Sequence, residues 1–427
     1  MRGCFETTLA KLTTTVSMVS IFMLSATSAA TPAEVRWSQW KTTEVGEKCM
    51  ADVKSAFEKA NSGDTLALVD SPFAGFHDKA IIQYQAKRLP DVLMVQVDWV
   101  AEFGDLGMLE PLDGWIEKEP ASFMENIPSA FHQKWKGKQY YLPVESGAVA
   151  LFYNTDLFRA AGISSPPKTW DEFVETARKI ISPEKKIYAV TATLQTEPPT
   201  NMTYDIYPLI LQAGGTLIDE KSNRAAFNSP EGVKAIEWYV DRVNKDKIAV
   251  PGVLSNGEKE KRANFASGNV AMMFEGPWGI AIQRQLNPNL NYAITTLPAG
   301  QTTGTMVRGS LNTVTTQAQD KEAAWRFVKW LSGTEGNALW AKCTGLFPAR
   351  RDVANQDWFK EKPLFQAFVK QMELPNARSP FLRMPNAVQM NKIMTTEVQN
   401  VVQGKKSAKQ ALDDAADEWN RILSSTK

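Results

Sequence analysis

In the stretch NFASGNVAMMFEGPW, residues 264–278, an acid and an indole stand three residues apart, just past a wholly apolar run at 270–274. Glu275 and Trp278 therefore sit at the carboxyl tip of a strand that reads as buried. An indole face can cover the apolar side of a ligand while a carboxylate accepts paired hydrogen bonds. The arrangement recurs: Gln39-Trp40 ends the run EVRWSQW, and Asp98-Trp99 follows DVLMVQV. Tyr204 and Tyr207 lie three apart, on one face of a helix. Arg308 precedes Gly309-Ser310 and Arg350 follows GLFP, each a planar fork suited to neighbouring hydroxyls or an anionic group. Each residue also has a structural alternative. Trp278 can be core at a helix start, Glu275 a cap for the following turn and Asp98 an N-cap. Gln39, Trp40 and the tyrosines can pack, and either arginine can form a surface ion pair.

These residue types point to recognition rather than turnover. No nucleophile motif, phosphate loop or metal signature is present. Only His77 and His132 occur, with no cysteine cluster, so no zinc or manganese site is expected. A glycosidase pairing two carboxylates across a cleft is the rival reading. An adhesion module would bring repeats or a lipid anchor, and the sequence has neither.

The elements that must hold these residues alternate between short apolar strands and amphipathic helices. EVRWSQW, DTLALVD and DVLMVQV read as strands, separated by the helices EKCMADVKSAFEKAN and FHDKAIIQYQAKR. In the first helix Cys49, Val53, Phe57 and Ala60 recur at helical spacing. A second region begins at AVALFYN and continues through the helices TWDEFVETARKI, YDIYPLILQA and SPEGVKAIEWYVDRVNK. The pattern predicts an α/β fold with largely parallel sheets, and ligands in such sheets sit beyond the carboxyl ends of the strands. With 427 residues the chain has room for two lobes, and no low-complexity linker separates them, which predicts several short crossovers.

Residues 1–30 read as a secretory signal. Arg2 and Lys11 precede a mostly apolar stretch at 16–24, and small residues surround a cleavage point after Ala30. The apolar stretch is too short to span a bilayer, which needs about 20 residues. Removing Arg2, Lys11 and Glu6 from 48 bases and 47 acids leaves 46 of each, which gives no reason to expect nucleic acid or an anionic membrane as partner. Cys4 falls in the signal. Cys49 and Cys343 fit no spacing pattern and read by default as separate buried thiols.

The order of the segments resembles the family 1 extracellular solute-binding proteins, the maltose-binding-protein-like receptors of ABC importers. The likeness rests on PDVLMVQVDWVAEFGDLGMLEPLD, GKQYYLPVESGAVALFYNTDLF, PKTWDEF, FASGNVAMMFEGPW and RGSLNTVTTQAQDKEAAWRFVKWL, in that order behind a signal. It implies a two-lobed periplasmic-binding-protein fold with the ligand cleft between the lobes. One lobe would contain 31–142 plus 305–351, and the other 143–304 plus 352–427. It further implies an exported, monomeric carbohydrate receptor without cofactor that hands its ligand to membrane permease subunits. The ligand would be a mono- or disaccharide, a polyol or a sugar derivative. The ligand set implied is Gln39, Trp40, Asp98, Trp99, Glu145, Tyr204, Glu275, Trp278, Arg308 and Arg350, with Glu145 on the cleft floor at a crossover. Tyr140-Tyr141 falls in a hairpin usual for the family and is assigned to structure. With Cys49 and Cys343 both on helices of one lobe, the resemblance also implies a disulfide between them.

Overall fold

The computed structural model describes residues 1, 3, 33–196, 202–219 and 221–425, so nearly all of the expected signal segment, Cys4 included, lies outside the described residues. Among them, no helix is long and apolar enough to cross a membrane.

Two lobes are each built on a twisted sheet. In the first, five strands run in the order Thr65–Asp70, Glu34–Gln39, Val92–Gln96, Ser310–Val314, Leu142–Pro143. The first three are mutually parallel, as their helical connections require, but Ser310–Val314 lies antiparallel to both of its neighbours. In the second sheet the order is Tyr292–Thr295, Ala150–Asn154, Val270–Glu275, Tyr188–Val190. There Val270–Glu275 runs antiparallel to Ala150–Asn154 and parallel to Tyr188–Val190. Both sheets are thus mixed, which corrects the expectation of largely parallel ones. Helix crossovers enforce parallel pairing only between consecutive units, whereas strands that return from distant sequence are free to enter the other way. A small sheet of Ala377–Arg378, Thr305–Arg308 and Gly147–Ala148 joins the two halves.

The strand at the opening motif is internal, and all six of its residues are buried, as a strand covered on both faces must be. In the first lobe, helix Glu47–Ala60 turns Cys49, Met50, Val53 and Phe57 into the core, while Ala60 is exposed. Trp37 packs on Phe327 at 5.0 Å and on Trp340 at 6.0 Å, and its indole N–H donates to Asn312 Oδ1 at 3.0 Å. Truncating such a tryptophan costs about 3–5 kcal/mol. Cys49 and Cys343 are bonded across 5.3 Å between Cα atoms, fastening helix Glu47–Ala60 to helix Thr334–Thr344. In the second lobe Phe152, Phe265, Phe359, Phe365 and Phe368 form a separate apolar cluster. The last two helices, Ala387–Val402 and Ala408–Ser425, pack together, with the Trp419 indole donating to Met390 O at 2.8 Å.

At two points the crossovers pass so closely that only glycine fits. A Cβ on Gly147 would stand 2.4 Å from Pro277 Cγ, and one on Gly309 would stand 2.1 Å from the Glu145 carbonyl oxygen. Tyr141 is buried, with its hydroxyl donating to Gln133 O at 3.3 Å, a packing role beside the likewise buried Tyr140.

Candidate functional site

The strand-end loops of both lobes converge on one cavity of about 70 Å³. Trp40, Lys41 and Phe73 line it from the first lobe, and Tyr204, Arg262 and Trp278 from the second. Glu145, Arg308 and Gly309, at the crossovers, form the floor. Ligand pockets usually hold roughly 300–1,000 Å³. The lobes are therefore drawn together here, and they have to part to admit a ring. A wider groove of about 1060 Å³ runs past Trp135, Ile218 and Arg378. It is not built from the strand tips where sheets of this kind gather ligands, so the smaller cavity is the better site.

Pro277 fixes its own φ near −62° and starts helix Trp278–Leu286 directly behind the strand, which aims the indole at the cavity. The Trp278 ring meets Tyr204 edge-on at 5.8 Å and donates its N–H to Glu275 Oε1 at 2.6 Å. Glu275 also accepts from Arg262 Nε at 2.9 Å and from the Gly276 amide at 2.9 Å, while Lys261 stands 3.9 Å from its Oε2. Burial pushes the Glu275 carboxyl up, but Arg262 and Lys261 outweigh burial and hold it below the usual carboxylate range. Lys261 is wholly buried. It donates to Phe274 O at 2.9 Å and lies 4.3 Å from the centre of the Tyr204 ring. Asp205, beside it, has its pKa pushed up by burial to about 6, against the opposing pull of Lys261 and Thr193.

On the floor, Arg308 forks between Thr203 Oγ1 at 2.6 Å and Asp98 at 3.4 Å, one residue from each lobe. Burial alone would lower its pKa, and Asp98 raises it above the ordinary value. Lys41 Nζ donates to Glu145 Oε1 at 2.9 Å and Glu44 Oε2 at 3.0 Å, and Ser310 Oγ donates to the same Glu145 oxygen at 2.6 Å. Burial pulls the Lys41 ammonium down, but Glu145 and Glu44 leave it raised.

Of the ten residues singled out in the sequence, Trp40, Glu145, Tyr204, Trp278 and Arg308 line the cavity. Asp98 and Glu275 stand behind it, as partners of Arg308 and of Trp278. Gln39 bonds Asp70, Thr42 and the Lys41 amide, so it shapes the loop from which Trp40 projects. Trp99 packs against Trp40 at 5.7 Å and stacks near Phe73 at 5.9 Å, supporting the aromatic wall from behind. Arg350 is the correction. It bonds Asp352 and the carbonyls of Phe123 and Ser332, away from the cavity, because the segment after GLFP turns back along the first lobe into helix Arg351–Ala354.

Lys41, Lys261 and Arg262 escaped notice in the sequence. Lys41 follows Gln39-Trp40 directly, and the strand-tip rule extended by one residue would have found it. Helix Glu258–Ala266, EKEKRANFA, reads as a solvated charged face. Only the tight turn at 267–269 folds it back beside the strand and brings Lys261 and Arg262 to Glu275.

The family model for bacterial extracellular solute-binding proteins matches residues 39–338. The chain is 28% identical, over 95% of its length and 97% of the relative's, to a Brucella abortus (strain 2308) protein described only as a binding protein. It is 26% identical to the sn-glycerol-3-phosphate-binding periplasmic protein UgpB of Escherichia coli (strain K12), over 72% of each chain. Among solved structures, a Thermotoga lettingae ABC transporter solute-binding protein bound with α-D-tagatose superposes with a TM-score of 0.82 at 26% identity. That match covers 92% of this chain and 100% of the other.

Proposed function

The chain belongs to the bacterial extracellular solute-binding proteins, receptors and not enzymes, and on that premise we propose that it captures a carbohydrate in the cavity between its lobes. The glycosidase alternative is set aside with the family. The observation that carries the ligand class is the meeting of Trp40, Tyr204 and Trp278 with Glu145 and Arg308 in one cavity. Flat rings cover the C–H faces of a sugar, and the carboxylate and guanidinium satisfy its hydroxyls. Leaving such buried groups unpaired is costly, and this makes the site selective. The tagatose-bound neighbour supports the same class.

The same reading divides the chain into one lobe of 31–142 plus 305–351 and another of 143–304 plus 352–427; its support is that Ser310–Val314 returns to the first sheet while Ala150–Asn154 and Val270–Glu275 lie in the second. In the cell the chain works as a monomer in the periplasm after its signal is removed, and it hands the sugar to the permease of an ABC importer. A thermal-shift screen of mono- and disaccharides, polyols and sugar acids tests the reading. A ligand that binds only the folded state at 100 times its Kd stabilises it by about 2.7 kcal/mol. At least one sugar or polyol should raise the midpoint, and a flat response across the whole panel would contradict the reading.

A further inference from the structure

We infer that the ligand carries no acidic group, and that Glu145 Oε2 on the cleft floor accepts one of its hydroxyls; this rests on the carbohydrate reading above. Glu145 is 4% exposed. Its Oε1 takes both donors, Lys41 Nζ at 2.9 Å and Ser310 Oγ at 2.6 Å, while its Oε2 is buried without a hydrogen bond. A buried carboxylate oxygen left unpaired is costly, so a group that reaches it must donate. A sugar or polyol hydroxyl does so, whereas a fully ionised phosphate or carboxylate group cannot, so an acidic ligand would have to turn a hydroxyl to this oxygen and seat its anionic group among the surrounding charges.

The charges around the cavity point the same way. Among the described residues, every cation that lines it is already engaged with a carboxylate: Lys41 with Glu44 and Glu145, Arg262 with Glu258 and Glu275, and Arg308 with Asp98. Adding buried Lys261 gives four cations against six acids, namely Glu44, Glu145, Glu258, Glu275, Asp98 and Asp205. An anionic ligand would have to displace one of these pairs inside a low-dielectric site that already holds excess negative charge. A neutral ligand leaves every pair intact and brings a donor to Glu145 Oε2.

Calorimetric titration of the mature protein with ribitol, D-tagatose, glucose and maltose, against glycerol 3-phosphate, glucose 6-phosphate and gluconate, tests the inference. At least one neutral compound should bind 10-fold or more tighter than every acidic one. Glu145→Gln, checked for folding by urea unfolding, should weaken the neutral ligand at least 10-fold. An acidic compound that binds as tightly as the best neutral one would overturn the inference and leave the carbohydrate reading standing. Unchanged affinity in a folded Glu145→Gln variant would overturn the role of Glu145. If none of the seven compounds binds, the carbohydrate reading itself fails, and the inference with it. Should the variant not fold, the comparison in the wild-type protein still decides.

Discussion

Trp278→Ala is expected to weaken sugar binding by roughly 10- to 100-fold, because covering one sugar face with an indole is worth about 1.5–3 kcal/mol. Stability should fall far less than the 3–5 kcal/mol of a core tryptophan, since Trp278 is half-buried and Glu275 keeps its bonds to Arg262 and Gly276. Calorimetry beside urea unfolding separates the two: unchanged affinity with a large loss of stability would make Trp278 a packing residue. Asp205 bears on pH. Its folded pKa of about 6 lies above the unfolded value, so its contribution to stability is complete below about pH 4 and is lost as pH rises through 6. Asp205→Asn should therefore flatten the unfolding midpoint between pH 4 and 7, by an amount on the order of 2 kcal/mol in the wild-type difference. A wild type and variant that respond to pH in parallel would contradict this. Single residues at strand tips were legible in the sequence because an apolar run followed by Glu-Gly-Pro-Trp leaves little choice of direction. Glu275 was legible only in place: which groups surround a buried acid depends on Lys261 and Arg262, whose helix carries no outward sign of burial.

Helices and strands were largely legible from their periodicity, and the exceptions have local causes. The helix expected from YDIYPLILQA is α-helical only over Tyr207–Gln212, and Met202–Ile206 winds as a π-helix ahead of it. Pro208 in the first turn has no N–H to give back to that preceding turn, so the wider winding ends where the α-helix starts. The mixed sheets were illegible for a different reason, since Ser310–Val314 meets Val92–Gln96 across more than two hundred residues and no local pattern fixes its direction. The disulfide works at this scale, because it ties helix Glu47–Ala60 to helix Thr334–Thr344. Replacing both cysteines with serine should cost about 2–4 kcal/mol. Thiol titration of the denatured, unreduced mature chain should find no free thiol, and two would refute the bond.

For the whole molecule, the five motifs in order made the two-lobed plan legible, but the distance between the lobes is a property of the closed cleft and no short segment encodes it. Here the lobes touch. Gln285 Nε2, on the second lobe, donates to Glu44 O of the first at 3.1 Å, and Arg308 links Asp98 to Thr203 across the floor. Closure of this kind is expected to be a hinge rotation about the short crossovers at 142–147, 300–305 and 351. Since the remaining cavity of about 70 Å³ admits no sugar ring, the lobes must part to let a ligand in and must stand further apart around it than they do here.

The most direct measurement is small-angle scattering of the mature protein, without ligand and with a saturating amount of the sugar found in the thermal-shift screen. A larger radius of gyration is expected without ligand, and with ligand a more compact particle whose curve moves toward the one calculated from the closed structure. Identical curves in the two conditions would contradict capture between the lobes.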